Sequence, residues 1–271
     1  MGETFGARLH AAMRTRGPLC VGIDPHGSLL EAWGLPDTAW GLERFALTVV
    51  EALAEQVAVL KPQSAFFERH GSAGIAVLER TIAAAREAGA LVLLDVKRGD
   101  IGSTAAAYAE AYLDPASPLA ADAITVSPFL GLGSLRPFIE SAEAYDKGVF
   151  VLALTSNPEG AGVQRARSGD GSVAGAILTQ VRTLNAGCEP LGSFGVVVGA
   201  TIADTDEDLA VNGPLLAPGL GAQGADVADL DRVFGAERPR VLASTSRDVL
   251  SAGPGPVPLR HAAARVLDAL R

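Results

Sequence analysis

Asp95 and Lys97 stand two positions apart at the end of an apolar run, in the segment Leu-Leu-Asp-Val-Lys-Arg-Gly-Asp-Ile-Gly-Ser-Thr that spans residues 93–104; Asp100 and Thr104 lie just beyond them. Side chains at i and i+2 of a strand point to the same side. A carboxylate and an ammonium group are therefore expected to face one small space where the strand stops. Such a pair holds charge against charge, disfavours an anionic substrate beside the carboxylate and favours what that substrate becomes. A structural ion pair would use the same two residues, so the spacing alone leaves both readings open.

Lys61 follows Val-Ala-Val-Leu, so its root is expected to be buried, and its ammonium must be paired or face water in a pocket. A lysine snorkelling from a strand end is the plainer alternative. Asp24, Ser127, Gln223 and Arg247 likewise sit where apolar runs end. Asp100 is a candidate cap for a helix beginning near Ile101, and Thr104 would lie inside that helix. Residues 216–226, Leu-Ala-Pro-Gly-Leu-Gly-Ala-Gln-Gly-Ala-Asp, read as a strand followed by a glycine-rich turn. Glycines such as Gly221 and Gly224 let backbone N–H groups converge on an anion, with Gln223 between them. Arg247 would add a bidentate charged donor for a phosphate, although a solvated helix cap would also place an arginine there.

Short apolar runs recur at 19–23, 57–60, 90–96, 123–126, 149–154, 195–198, 215–217 and 241–243. Helical patterns separate most of them, most clearly at 45–55 and 74–87, with Gly89 as a stop signal after the second. Residues 259–270 read as a last amphipathic helix that seals a ring. Eight strands alternating with helices favour an α/β chain closed as a (β/α)8 TIM barrel over an open doubly wound sheet. In such a barrel the C-terminal strand ends form the site, and phosphate often binds after the seventh and eighth strands. The strand-end residues above would then converge. Residues 157–175 read as a mobile loop after the fifth strand, either a cover for the site or a tolerated insertion.

The 271 residues suit one phosphate-binding barrel domain over 1–271, since such a barrel needs roughly 250. A net charge of -9 sets an unfavourable field for a nucleic-acid backbone, while a local cluster can still hold a small phosphorylated ligand. No stretch approaches the roughly 20 apolar residues of a membrane span. Glu3, Arg8, Arg14 and Arg16 interrupt any signal-peptide core, so a cytoplasmic protein is expected. Cys20, Cys188 and four scattered histidines show no metal-binding spacing and read as two reduced thiols and ordinary histidines.

Read jointly, these motifs resemble the orotidine 5'-phosphate decarboxylase family over most of the chain. They are Gly22-Ile23-Asp24-Pro25, Leu60-Lys61-Pro62-Gln63-Ser64-Ala65-Phe66-Phe67-Glu68, Asp95 through Thr104, Ser127-Pro128, Pro218 through Gly224, and Ser246-Arg247. Asp24-Pro25-His26 and the long loop after the fifth strand resemble the longer branch common in actinobacteria. The resemblance implies a (β/α)8 barrel homodimer without metal or organic cofactor. It implies conversion of orotidine 5'-monophosphate to uridine 5'-monophosphate and CO2 in pyrimidine biosynthesis. By resemblance, Lys61, Asp95, Lys97 and Asp100 form the catalytic set. Asp24 and Lys61 hold ribose hydroxyls, Asp95 lies against the substrate carboxylate, and Lys97 protonates C6 of the pyrimidine. Asp100 and Thr104 reach the neighbouring subunit's site, and Ser127 reads the ring. Gln223 bridges ring and phosphate, and Gly221, Gly224 and Arg247 belong to the phosphate end.

Three rivals stay open at this level. A Mg2+-dependent sugar-phosphate decarboxylase, such as 3-keto-L-gulonate 6-phosphate decarboxylase, shares Asp-x-Lys-x-x-Asp but has a carboxylate ligand where Lys61 stands, and ammonium cannot ligate a hard cation. A Schiff-base aldolase would use Lys97 or Lys61. A catalytically silent phosphate-binding barrel would keep Gln223 and Arg247 without needing Asp95, Lys97 and Asp100 in register.

Overall fold

The computed structural model describes residues 2–202, 205–221 and 224–271. Eight parallel strands close a barrel: β1 (Leu19–Ile23), β2 (Val59–Pro62), β3 (Leu91–Arg98), β4 (Ala123–Val126), β5 (Gly148–Leu154), β6 (Phe194–Val198), β7 (Leu215–Pro218) and β8 (Val241–Thr245). Each strand pairs with the next in the chain, and β8 closes on β1 with Leu19 opposite Ala243. The expected (β/α)8 TIM barrel is therefore the fold. The strand limits differ from expectation where polar residues continue the ladder. β2 runs to Pro62 and starts at Val59, because the Val57 N–H bonds back to Leu53 C=O at the end of the preceding helix. β3 runs on through Lys97 and Arg98.

The twofold period of the strands sorts the barrel interior into a floor and a mouth. Cys20, Val59, Leu93, Ala123, Phe150, Val197, Leu216 and Leu242 pack in one apolar cluster. Phe5 and Leu9, from the helix Phe5–Arg16, join that cluster and plug the bottom; the Phe5 and Phe150 rings meet edge to face with centroids 6.1 Å apart. Two positions further along, Gly22, Lys61, Asp95, Thr125, Leu152, Gly199, Pro218 and Ser244 line a cavity, to which Val197 and Leu216 of the layer below also contribute. An apolar layer thus lies under a largely polar one. The outward side chains, among them Leu19, Val21 and Ile23, pack against the surrounding helices in a second, larger core.

Those helices extend beyond their expected limits. Ala39–Leu53 starts early because the Thr38 hydroxyl caps it by accepting the Gly41 N–H. Gly71–Glu87 ends before Gly89, whose positive φ of 77° turns the chain toward β3. Pro256–Leu270 begins with proline in its first turn. The segment 157–175, expected as a loop, carries local structure. It holds a 3-10 turn at Pro158–Gly160, a helical turn at Ala161–Gln164 and a small hairpin pairing Arg167–Ser168 with Gly171–Ser172. The helix Val173–Leu184 follows, capped by Ser172. Among the described residues, no helix is long and apolar enough to cross a membrane.

Candidate active site

The cavity at the C-terminal strand ends has a volume of about 510 Å³. Its floor is an ion network on two adjacent strands. Lys61 Nζ donates to Asp95 Oδ2 at 3.0 Å, and Lys97 Nζ donates to Asp95 Oδ1 at 2.6 Å. The Thr125 hydroxyl donates to the same Oδ1 at 2.8 Å, and Lys61 also reaches Gln63 Oε1 at 3.5 Å. Lys61 and Asp95 are buried, whereas the Lys97 side chain is 46% exposed and opens into the cavity.

These environments set the charges. Burial alone would raise the Asp95 carboxyl, but the Lys61 and Lys97 ammonium groups hold it well below the usual carboxylate range. Burial likewise works against the Lys61 ammonium, and the carboxylates of Asp95 and Asp24 outweigh it, so the lysine stays above its ordinary value. The Cys20 thiol in the apolar layer below is pushed up to about 12, chiefly by burial, so it is no nucleophile for this cavity. Asp95 is thus anionic and Lys61 cationic, with three donors shared over the two oxygens of Asp95. That saturation leaves little room for a cation at Asp95.

Asp24 lines the cavity at the end of β1 and accepts a short hydrogen bond from the Ser246 hydroxyl. Gly22 makes room for that contact, because a Cβ there would stand 2.7 Å from Ser246 Oγ and 3.0 Å from the Asp24 carboxylate. The other carboxylate oxygen of Asp24, Oδ1, is buried and has no hydrogen-bond partner among the described residues. A neutral hydroxyl donor would satisfy it.

Next to Ser246, Arg247 lines the cavity as the first residue of the helix Arg247–Leu250, which follows β8. Gly219 and Leu220, after β7, line it as well. The glycine-rich turn is closed on itself: Gly221 N–H bonds to Ala225 C=O at 2.8 Å and Gly224 N–H to Gly221 C=O at 2.6 Å. In this conformation those two amides serve the turn and do not converge on an anion. Gly221 also has φ +77°, and a Cβ there would collide with the Asp248 carboxylate. Gln223 lies outside the described residues.

Three expected positions lie away from the cavity lining. Ser127 is one, beyond the end of β4, with its N–H bonded to Arg98 C=O at 2.8 Å. Ser156, between Thr155 and Asn157 just after β5, lines the cavity. The strand-end rule that picked out Asp24 and Lys61 applies equally to Ser156, which follows the apolar run 149–154 but was not singled out. Its neighbourhood is ordered by Gln164, whose side-chain carbonyl accepts the Thr155 N–H at 2.9 Å and whose amide donates to Thr155 Oγ1 at 2.7 Å. Asp100 and Thr104 are the other two; they sit on the outer rim, and Thr104 is exposed. Asp100 is not the helix cap: Ile101 holds that position for Gly102–Leu113, and Asp100 Oδ1 accepts the Ile101 N–H at 2.8 Å. His26 and Thr125 also line the cavity, and neither was anticipated.

Among the described residues, no group of three or more His, Cys, Asp or Glu side chains is arranged to hold a metal ion. The arrangement brings a carboxylate, two ammonium groups, an unpartnered carboxylate oxygen and a guanidinium around one cavity. It suits a phosphorylated ligand whose reacting end carries or develops negative charge beside Lys97.

The Orotidine 5'-phosphate decarboxylase / HUMPS family matches residues 17–254. An orotidine 5'-phosphate decarboxylase of Salinispora tropica is 68% identical over 267 residues, covering 98% of this chain and 96% of the relative. One from Streptomyces coelicolor is 63% identical over 265 residues, covering 97% and 95%. Among solved structures, that of Leishmania donovani OMP decarboxylase superposes with a TM-score of 0.78 at 32% identity, over 99% of this chain and 98% of that one.

Proposed function

The chain belongs to the orotidine 5'-phosphate decarboxylase family and converts orotidine 5'-monophosphate to uridine 5'-monophosphate and CO2 in pyrimidine biosynthesis; we propose that Lys97, Asp95 and Lys61 carry the reaction without a metal or organic cofactor. The observation that carries the residue assignment is the Lys61–Asp95–Lys97 network at the cavity floor, with both carboxylate oxygens engaged by ammonium groups.

Loss of CO2 leaves an electron pair at C6 of a ring that delocalises it poorly. The Lys97 ammonium beside C6 stabilises that charge, and the interaction strengthens as the carbanion forms, which is the condition for catalysis. Lys97 then gives its proton to C6. Asp95 sets negative charge near the departing carboxylate, and the repulsion ends as neutral CO2 leaves. Asp95 also aims Lys97 through the hydrogen bond that it accepts from the ammonium.

The remaining assignments follow the same frame. Asp24, with its unpartnered oxygen, and Lys61 hold the ribose hydroxyls. Ser156 replaces Ser127 as the ring-facing serine at the cavity wall. Arg247 grips the phosphate with Gln223, and Gly221 and Gly224 belong to the phosphate end. Binding the remote phosphate contributes to catalysis by ordering the charged network. Residues 1–271 act as one barrel domain in a cytoplasmic homodimer, with Asp100 and Thr104 reaching the neighbouring site. The exposed side chains of Ile101, Phe129 and Leu130, just beyond the ends of β3 and β4, support an interface there.

The test is to add orotidine 5'-monophosphate to the purified protein with EDTA present, following ultraviolet absorbance and CO2 release. Conversion under EDTA is expected. No conversion until Mg2+ is supplied would overturn the metal-free reading.

A further inference from the structure

We propose that Thr125 is a positioning residue for the decarboxylation: its hydroxyl ties the Asp95 carboxylate to the backbone of Lys97 and thereby aims the Lys97 ammonium. This inference rests on the roles given to Asp95 and Lys97 above.

The need for such a tie comes from the backbone. β3 and β4 pair regularly up to Leu94 opposite Ile124, and the next pair is Arg98 opposite Val126. Four steps along β3 therefore match two along β4, and the segment Asp95 to Lys97 bulges out of the ladder. A bulge re-aims side chains, here toward the cavity. It also strains the chain: Lys97 has φ +46°, a left-handed conformation that a long side chain seldom adopts. Such strain persists only where the surroundings over-determine it.

The bulge also removes the ladder acceptor for the Lys97 N–H. Thr125 Oγ1 takes that place, accepting the N–H at 3.0 Å. The same hydroxyl donates to Asp95 Oδ1 at 2.8 Å, and Oδ1 in turn accepts Lys97 Nζ at 2.6 Å. The result is a closed ring that holds Lys97 at both its backbone and its ammonium. Lys61 fixes the other carboxylate oxygen, so Asp95 cannot rotate without breaking a charged contact. Thr125 is 1% exposed, so water does not compete for either bond. One hydroxyl supplies one donor and accepts as well, and both capacities are in use here.

Valine at this position keeps the shape and loses both bonds. It would leave a buried N–H without an acceptor and release Asp95 Oδ1 from one donor. Several groups act on the Asp95 carboxyl. Burial raises it, while Lys61 on β2, Lys97 on β3 and finally the Thr125 hydroxyl lower it; Asp24, at the end of β1, acts on Lys61.

The experiment compares Thr125→Val, Thr125→Ser and Lys97→Ala in steady-state turnover of orotidine 5'-monophosphate across pH, with thermal melting alongside. For Thr125→Val, kcat should fall about 10- to 100-fold while KM changes little, since misaiming by a fraction of an ångström acts on the chemical step. Its acid limb should move to higher pH, a change that lost packing alone would not produce. Thr125→Ser, which keeps the hydroxyl, should restore most of kcat and the wild-type limb. Wild-type kcat in Thr125→Val, or a serine variant as impaired as the valine one, would overturn the inference. If the valine variant does not fold, serine against Thr125→Ala gives the same comparison, and equal rates in those two would overturn it. The two levels separate cleanly. An inactive Lys97→Ala beside a fully active Thr125→Val removes only the role of Thr125, whereas a fully active Lys97→Ala removes the site assignment beneath it.

Discussion

Lys61 and Asp95, 34 positions apart in the chain, meet at 3.0 Å on neighbouring strands, with both side chains about 8% exposed. Neither charge is tolerable there alone. Changing Asp95 to Ala removes the carboxylate bonded to Lys61 and leaves the buried ammonium with only the more distant charge of Asp24. That substitution is expected to cost about 3–5 kcal/mol of stability, because breaking one half of a buried pair exposes the full desolvation penalty of the other. Denaturant unfolding of Asp95→Ala against wild type checks it. The double change Asp95→Leu with Lys61→Met should recover much of the loss while remaining inactive.

Lys97 presents the opposite case. Its side chain is 46% exposed and its removal leaves Asp95 still paired with Lys61. Lys97→Ala is therefore expected to melt near the wild-type temperature. Turnover at saturating orotidine 5'-monophosphate should nevertheless fall by at least about 10³-fold, the scale of losing a preorganised charge at the reacting centre. Absorbance assays of kcat and a thermal melt on the same sample separate the two effects.

The Asp95 carboxyl is held below the ordinary carboxylate range, so its stabilising contribution is present above an unfolded-state pKa of about 3.9 and is lost as pH falls through the lower folded value. The Lys61 ammonium is held above its ordinary value, so its contribution is present below about 10.4 and is lost as pH rises through the higher folded one. The pair should therefore remain ionised, and stability should show little dependence on it, throughout the neutral range. In Lys61→Met the main opposing charge is gone and burial acts on Asp95 with less resistance. Its acid limb of kcat should move to higher pH, as pH–rate profiles of the two proteins would reveal.

Arg247 lines the same cavity as Lys97, at the first turn after β8. Arg247→Ala is expected to lower kcat/KM about 10- to 100-fold, the worth of charged hydrogen bonds to a phosphate. High inorganic phosphate should then inhibit the variant less than the wild type. An unchanged kcat/KM would place the phosphate elsewhere.

Asp100 lies outside the lining of its own chain's cavity. If it completes a neighbour's site, Lys97→Ala and Asp100→Ala proteins should each be poorly active alone and regain activity when their subunits are mixed. One of the two sites in a mixed dimer then contains both intact residues. Gel filtration establishes the dimer first, and absence of recovery after verified subunit exchange would confine Asp100 to its own chain.

The barrel was legible in the chain because each buried strand is a short apolar run and because the charged residues of the site stand where those runs end. Asp24, Lys61 and Asp95 could be picked out for that reason alone, and the twofold period placed Asp95 and Lys97 on one face. Their contacts were not legible. Whether Asp95 meets Lys61 depends on the register of β2 against β3, where the pairs Val59 with Leu91 and Leu60 with Val92 bring distant positions level. The bulge that turns Lys97 to φ +46° and hands its N–H to Thr125 follows from a mismatch between β3 and β4 that no local pattern announces. The different settings of Ser127 and Ser156 have the same origin: both follow apolar runs, and only barrel closure decides that Ser156 lines the cavity. Local sequence determined which residues were polar, strand-terminal and on a common face, since those follow from side-chain period and composition. Tertiary structure decided which of them touch, because register, bulges and closure are set by long-range pairing.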